Sequence, residues 1–467
     1  MTEDKLSQVK AAEILHNPKI KKDSSMRSGQ KVTWDCVWFG SYPQTEITSS
    51  KDLAIYTSLA TASESQWTKN NDIIINGTKY RRLRGKDATL YNSNNGEDYY
   101  NWNDDDTTYH YFKYEPIKWR ILKVNDNSAF LLADIALDNQ LYNTNWTDVT
   151  WKTSSIRSWL NGYGSSFNEP KTDYSSKNFI NSAFSPTQQN IILTSTIINQ
   201  NNISYNTPGG DTTSDKIFLL SESEVYNTVD AQTYGFLKEP TVYDEARRCL
   251  CSTYAAAMGA LHAVSSDTKY NGNTRWLLRS PGTSNTSCVY VTDNVYGVFN
   301  DGGGVTGGWN HAIRPALHLN LLSSASYSYA GTVCSDGTIN ENAKNTEPIS
   351  PENPNKSDIN KDNYIDSASI TYHYSASNGT RKEYYFPYSD YMFYINDYEI
   401  RYGKTLAQAS LATAMSAFSD CRMNNKFSET LSENDERRAA NIKEVYQNLK
   451  FSNAKFFNYN KALTDSS

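Results

Sequence analysis

Two carboxylates lie two residues apart in the stretch SESEV, a spacing that could pair an acid with a base. The same residues fit a helix start, because Ser221 followed by Glu224 is a capping box and carboxylates stabilise a helix N-terminus. We favour the cap for Glu222 and Glu224. The chain has six Cys without a C-x-x-C pair, and no Gly-x-Ser-x-Gly stretch. The sequence therefore predicts no catalytic residue.

Hard oxygen ligands recur at alternate positions in DINKDNYIDSAS, as in a calcium loop. The candidate ligands are Asp358, Asn360, Asp362, the carbonyl of Tyr364, and Asp366. Asn363 stands where the loop normally needs Gly, and Ser369 stands where it needs a bidentate carboxylate. The alternatives are a Ca²⁺ site and an ordinary linker end. We expect no other cofactor.

Aromatic and amide side chains alternate in the glycine-rich segments between the last predicted strands. They are Tyr296, Phe299, Asn300, Trp309 and Asn310. Flat apolar faces beside amides suit contact with a sugar or a peptide. The alternative is that these aromatic rings only pack the loops.

Two arginines, Arg279 in RWLLRSPG and Arg314 in AIRPALHLNL, lie inside apolar, strand-like runs next to a proline. A buried guanidinium needs a carboxylate or several carbonyl groups as hydrogen-bond partners. Proline has no N–H to donate to a neighbouring strand, so a carbonyl there is left for the guanidinium to bind. We expect structural arginines, with Asp134, Glu222 and Asp293 as candidate partners.

The six histidines do not form a cluster. His311 and His318 would point to opposite faces of one extended strand, which argues against a shared metal. On that strand His318 would share a face with Arg314. We expect structural histidines.

The elements that position these residues are mostly short strands. Asn76-Gly77 predicts a hairpin, and PIKWRILKV with SAFLLADIAL predicts a second one. Short helices are predicted at TSSIRSWLNG and SPTQQNII from their caps, and a longer helix at YDEARRCLCSTYAAAMGALHA.

Composition narrows the classes of function. Aromatic residues make up 13% of the 467 residues. The net charge is -6 and no basic block occurs, so nucleic acid is not an expected partner. No apolar run reaches the ~20 residues of a membrane span. The N-terminus has no signal-peptide core, so the sequence as given predicts a cytoplasmic protein.

Residues from about 33 to 322 resemble a bacterial domain-of-unknown-function family through WFGSYPQ, FKYEPIKWRIL, FLLADIALDNQLYN, W-x-L-R-S-P-G and R-P-A-L. That resemblance implies a surface-exposed or secreted bacterial module. FLLSESEV followed by AIRPALHL also resembles the C-type-lectin-like fold of formylglycine-generating enzymes, without their catalytic cysteine pair.

Residues from about 366 to 467 resemble the start of bacterial lipase-like α/β-hydrolases, through KEYYFPYSDYMF and LAQASLATAMSAFSD. In that family the nucleophile elbow comes later, so we expect an incomplete hydrolase segment without a triad. On this interpretation the chain is an N-terminal fragment of a longer protein.

The sequence thus predicts an α+β, β-rich chain, C-type-lectin-like in the second half of its main module. The expected organisation is a polar leader at 1–27, the module at 28–335 with an irregular insertion at 45–114, a linker at 336–357, and the hydrolase-like segment at 358–467. We expect a non-catalytic module, extracellular or at the cell surface, that binds a carbohydrate, a peptide or a surface protein. The alternative is the accessory part of a lipase-like serine hydrolase.

Overall fold

The computed structural model describes residues 15–91, 98–103, 105–125, 127–264, 271–293, 297–307, 311–321 and 327–340, and the backbone of two later strands. The chain divides into two units, Met1–Pro348 and Ile349–Ser467. As predicted, the described part is β-rich with few helices.

The strands of the first unit are β1 (Lys19–Lys22), β2 (Gln30–Ile47), β3 (Asp72–Ile75), β4 (Thr78–Leu83), β5 (His110–Asn125), β6 (Ser128–Ala133), β7 (Asp138–Asn139), β8 (Ile192–Leu193), β9 (Ser195–Ile197), β10 (Thr213–Asp215), β11 (Ile217–Phe218), β12 (Trp276–Pro281), β13 (Ser287–Val291), β14 (Val298–Gly304), β15 (Ala312–Ile313), β16 (Ala316–Asn320), β17 (Ser328–Cys334) and β18 (Ile339–Asn340). In the second unit, β19 (Ser369–Ser375) and β20 (Arg381–Pro387) form an antiparallel pair.

The helices are short. They are α1 (Leu53–Ala60), α2 (Ser155–Asn161), α3 (Phe179–Ala183), α4 (Pro186–Ile191), α5 (Glu222–Val225), α6 (Val229–Thr233) and α7 (Thr253–Ala257), with 3₁₀ turns at Glu64–Gln66, Gly85–Asp87, Trp151–Thr153, Ser165–Phe167 and Glu245–Arg247.

A large sheet is built around two long antiparallel strands, β2 and β5. Its order is β11-β16-β6-β5-β2-β17-β18, with β1 on β2, β4 on β5, β3 on β4, and β8 on β16. Both predicted hairpins are confirmed, as β3–β4 and β5–β6. Asn76 and Gly77 both have positive φ, as a type I′ turn requires.

A small sheet has the order β14-β13-β12-β15-β7. Its pairs are antiparallel except β12–β15, which is parallel. One core packs the indoles of both sheets together, including Trp34, Trp119 and Trp276, all fully buried. An indole of about 200 Å² contributes on the order of 5 kcal/mol of transfer free energy, so aromatic burial supplies much of the cohesion.

Local capping chemistry fixes two predicted helices. The Ser154 side chain accepts from the Arg157 amide at the start of α2, and Gly162 ends it in the left-handed region. Ser185 and Gln188 form a capping box before α4, with Pro186 in its first turn.

Two predicted elements are wrong. The long helix after Pro240 is broken, because Cys251 forms a β-bridge with Ala136 and Ser252 starts a new, short α7. The run AIRPALHLNL, expected as one strand, forms two strands. The chain leaves the small sheet after β15, at Arg314 and Pro315, and joins the large sheet as β16. His311 and His318 therefore do not share a strand.

Candidate binding pocket on the small sheet

A small pocket opens beside the small sheet, with a cavity volume of about 10 Å³, about the space that one water needs. Its lining residues are Leu90, Asn139, Gln140, Leu141, Tyr142, Leu277, Cys288, Gly304, Gly307 and His311. Strand register brings them together: β7 pairs with β15, β15 with β12, β12 with β13, and β13 with β14. The pocket walls are apolar apart from a few polar side chains.

Two polar atoms in this pocket lack partners. Asn139 pairs with Ala312 in the β7–β15 ladder, and its Nδ2 donates to the carbonyl of His311 at 2.9 Å. Asn139 Oδ1 and His311 Nε2 are buried and make no hydrogen bond. The two side chains are 1% and 4% exposed. An unpaired buried polar group costs about 1–3 kcal/mol, which a ligand or water can recover.

A run of rings leads from this pocket to the surface. The rings of His311 and Tyr290 are 4.1 Å apart, and those of Tyr290 and Phe299 are 5.1 Å apart. Tyr290 faces Phe299 in the β13–β14 register, and Phe299 is 42% exposed. The sheet therefore presents an aromatic surface next to the pocket.

The pocket is electrically neutral. Burial, reinforced by the positive charge of Arg275, lowers the pKa of His311 to about 3, so the imidazole is uncharged at neutral pH. Burial raises the pKa of the Cys288 thiol, which keeps it protonated. Burial also raises the pKa of Tyr142, whose hydroxyl donates to the carbonyl of Arg279 at 2.7 Å.

An exposed tryptophan lies next to the pocket. Trp146 is 66% exposed and lies against Gly304, a lining residue. A Cβ on Gly304 would come within 2.5 Å of Trp146 Cζ3, so the indole occupies space that a side chain would need. The Nδ2 of the neighbouring Asn145 donates to Glu169 Oε2 at 3.4 Å.

Asp138 supports the pocket from behind. Its Oδ1 accepts from the amide of Asn139 at 2.7 Å and from Nε2 of Gln140 at 3.1 Å, and its Oδ2 accepts from the hydroxyl of Tyr42. Burial raises the pKa of Asp138 to about 6, against these hydrogen bonds and the charge of Arg81. The carboxylate holds the backbone that carries Asn139.

Of the predicted ligand-binding residues, Phe299 and Asn300 lie on β14. Asn300 Nδ2 donates to Ser204 Oγ at 2.6 Å, and the Asn300 carbonyl accepts from Asn202 Nδ2 at 2.9 Å. Tyr296, Trp309 and Asn310 lie outside the described residues, as do Asp358, Asn360, Asp362, Tyr364 and Asp366 of the calcium prediction.

Arg279 is 5% exposed and well supplied with acceptors. Its Nη1 donates to the Leu219 carbonyl at 2.7 Å and to Glu224 Oε2 at 2.6 Å, and its Nη2 donates to the Ile198 carbonyl at 3.3 Å. Its carboxylate partner is thus Glu224, and none of the three carboxylates considered from the sequence. The Glu224 capping box with Ser221 is confirmed.

Arg314 is fully buried and lies over the Trp276 ring at 4.9 Å. It donates to the carbonyls of Ala133 at 2.8 Å and Asp134 at 3.3 Å, while its Nη1 has no partner. Its contacts are with main-chain oxygens and an aromatic face rather than with a carboxylate.

His318 contacts Ser195, whose Oγ lies 2.7 Å from Nδ1. Its ring packs between Phe130 and Phe218, and burial lowers its pKa. Within the described ranges, no group of three His, Cys, Asp or Glu side chains could hold a metal ion. No helix among those residues is long and apolar enough to cross a membrane.

Known proteins can now be compared with this arrangement. Residues 126–321 match the family model described as Domain of unknown function (DUF6273). The match includes every lining residue of the pocket except Leu90. It confirms, over that range, the predicted resemblance to a domain-of-unknown-function family. No curated protein and no solved structure matches the chain. The lectin-like and hydrolase-like resemblances stay predictions.

Sequence reasoning missed Asn139 as a pocket residue and interpreted His311 as a structural histidine. Asn139 lies 172 positions from His311, and only the β7–β15 pairing brings them together. One local signal was present: the glycines of NDGGG leave room for an aromatic ring from elsewhere, here Trp146.

Proposed function

We propose that the first unit is a non-catalytic binding module whose pocket takes an uncharged group that both donates and accepts hydrogen bonds. One observation carries the proposal: Asn139 Oδ1 and His311 Nε2 are buried without partners in residues that line the same pocket. The amide oxygen needs a donor, and the imidazole nitrogen needs a complementary atom.

The ligand group is uncharged because no charged side chain lines the pocket. His311 carries no charge at neutral pH, since burial depresses its pKa. An ion placed among Leu141, Leu277 and Cys288 would lose its hydration without gaining a counter-charge. A single hydroxyl group meets the requirement and has the size of the water that the cavity could hold.

Binding without catalysis follows from the state of the nucleophilic candidates. The Cys288 thiol is kept protonated by burial, and thiolate rather than thiol is the nucleophile. The Tyr142 hydroxyl is already engaged with the Arg279 carbonyl. Asp138 has a pKa suited to proton transfer, but Tyr42 and the Asn139 amide occupy its oxygens.

The proposal extends to the setting of the module, on the resemblance to the domain-of-unknown-function family. We place it in a bacterial protein outside the cell or on its surface, with a C-type-lectin-like arrangement of its second half. A carbohydrate, peptide or surface protein would carry the ligand group. Fractionation of the native cells tests the location, and recovery with cytosolic markers alone would contradict it.

Methyl β-glucoside is a suitable probe, since it presents single hydroxyl groups that both donate and accept hydrogen bonds. Titration followed by saturation-transfer NMR should give a weak dissociation constant, on the order of 1–10 mM for so few atoms. Asn139→Ser and His311→Phe should each weaken binding several-fold while the thermal transition is retained.

Asn199→Ser is the matched control for this experiment. Asn199 Oδ1 is also buried without a partner, but the residue does not line the pocket, so its loss should leave probe binding unchanged. Absence of binding at about 100 mM probe, or equal binding by all three variants, would refute the proposed function.

A further inference from the structure

We propose that the outer edge of β1 is a docking site for an acidic β-strand of another protein, one in which carboxylates alternate with apolar residues. This inference goes beyond the proposed function and does not depend on the pocket. It concerns a different surface, the hairpin that β1 forms with the start of β2 at residues 19–33.

β1 leaves one edge open for a further strand. It pairs antiparallel with β2, from Lys19 opposite Thr33 to Lys22 opposite Gln30, and no other strand among the described residues pairs with it. Alternate residues of β1 therefore direct their N–H and C=O groups away from β2. All four residues of β1 are exposed. An open edge of this kind is a template for another strand.

β1 also carries positive charge that is not compensated. Lys19, Lys21 and Lys22 are exposed, and none of them forms an ion pair with a described carboxylate. Lys21 lies directly opposite Lys31, which is paired with Asp336. Like charges directly opposite each other destabilise a ladder. A carboxylate on an added strand would relieve that repulsion.

The acids near the turn of this hairpin are already engaged. The Asp23 carboxylate accepts from the amide of Ser25 at 2.9 Å and from its hydroxyl at 2.6 Å. The Glu245 carboxylate accepts from the amides of Arg27 at 2.9 Å and Ser28 at 3.2 Å. Glu245 thereby holds the turn against the rest of the unit, so the hairpin is in place before a partner arrives.

The residue pattern of β1 selects the occupant. Lys19 and Lys21 lie on one face of the strand, and Ile20 and Lys22 lie on the other. A strand with carboxylates at alternate positions would face the first pair, and its apolar residues would cover Ile20, which is 43% exposed. Edge lysines deter a strand of like charge, such as a second β1, but they favour an acidic one.

The probe is an end-capped, fluorescein-labelled peptide of about seven residues, in which glutamate and valine alternate. Fluorescence anisotropy on the full chain at low salt should give a dissociation constant on the order of 10–100 μM. Raising the ionic strength from about 20 to 200 mM should weaken binding several-fold, because the lysines are exposed. The same peptide with glutamine in place of glutamate should bind at least about ten-fold more weakly.

The double variant Lys19→Glu with Lys21→Glu should weaken peptide binding by at least about ten-fold. It should stay folded, because a carboxylate at position 21 faces Lys31 more favourably than a lysine does. Lys51→Glu with Lys177→Glu is the matched control, since it changes the net charge equally at exposed lysines outside the hairpin. The control should keep the affinity of the unaltered chain.

Two N-methylated peptides test the backbone pairing separately. One is methylated at the valine amides and the other at the glutamate amides. An added strand directs the N–H groups of only one of these sets at β1. One peptide should therefore lose binding while the other keeps it.

Three results would overturn this inference. Absence of binding at about 1 mM peptide, or equal binding by the double variant, means that the lysines only deter strand pairing. Equal binding of both N-methylated peptides means that charge acts without an added strand. Tighter binding of inorganic polyphosphate or of phosphatidylglycerol vesicles than of the peptide assigns the hairpin to another kind of anion. None of these results affects the proposed function, which is tested with methyl β-glucoside.

Discussion

Buried polar residues of this protein fall into two groups at the scale of single side chains. Arg279 makes hydrogen bonds to two carbonyls and both oxygens of Glu224, so its charge is compensated although its Nε has no partner. Asn139 and His311 each keep one buried atom without a partner. The first pattern stabilises the fold, whereas the second leaves capacity for a ligand.

Arg279→Leu should destabilise the protein by about 3 kcal/mol, because it leaves the Glu224 carboxylate, only 23% exposed, without its cation. Urea unfolding followed by circular dichroism measures the loss. Arg275→Leu is the control: Arg275 pairs with Asp293 at 2.8 Å in a partly exposed site, and its removal should cost about 1 kcal/mol or less. A fully stable Arg279→Leu that loses ligand binding would contradict the structural role.

At the scale of elements, a bulge in β2 decides how α3 packs. The β2–β5 register shifts between Trp38 and Ser41, and Gly40 lies in that shift with φ +70°. A Cβ on Gly40 would lie 2.5 Å from the Phe184 ring and 2.8 Å from the Ala183 carbonyl. Only glycine allows this close approach.

Gly40→Ala should therefore lower the free energy of unfolding by at least about 2–3 kcal/mol, through backbone strain and the clash together. Gly29→Ala isolates the strain, because Gly29 has φ +72° and nothing within 4 Å of a Cβ. It should cost about 1 kcal/mol. If Gly40→Ala and Gly29→Ala lower the free energy of unfolding equally in denaturant titrations, the clash at Gly40 is relieved without an energetic cost.

At the scale of the whole first unit, one carboxylate joins the two sheets. Tyr42 on β2 of the large sheet donates to Asp138 on β7 of the small sheet. The groups that face Asp138 are Tyr42, Tyr254 on α7 and the Arg81 guanidinium on β4. No cation forms an ion pair with it among the described residues, and burial raises its pKa to about 6.

This raised pKa predicts a pH dependence of stability. The folded protein holds the proton more tightly than the unfolded chain, so folding is favoured below pH 4 and that contribution is lost as pH rises to about 6. At about 1.4 kcal/mol for each pKa unit, the loss is roughly 2–3 kcal/mol. Asp138→Asn should lack it.

Urea unfolding of both proteins between pH 4 and 7 measures the difference in stability directly. The wild type should lose stability relative to Asp138→Asn across that interval. Parallel pH profiles would mean that the folded protein does not raise the pKa of Asp138.

Local chemistry in the sequence determined the parts of the fold that depend on neighbours in the chain. The Asn76-Gly77 turn needs only two residues that tolerate positive φ, and the Ser185 cap needs only an amide three residues later. The buried arginines were also visible, since a charge in an apolar run demands partners wherever it folds.

Only the tertiary structure decided where the pocket forms and how AIRPALHLNL is divided between the two sheets. Its β15 and β16 carry the same strand signal but join different sheets, because the chain leaves one ladder at Arg314 and Pro315. Asn139 and His311 meet through that β15 pairing. A sequence pattern has a short range, whereas sheet register joins residues far apart in the chain, so the proposed binding site followed only from the fold.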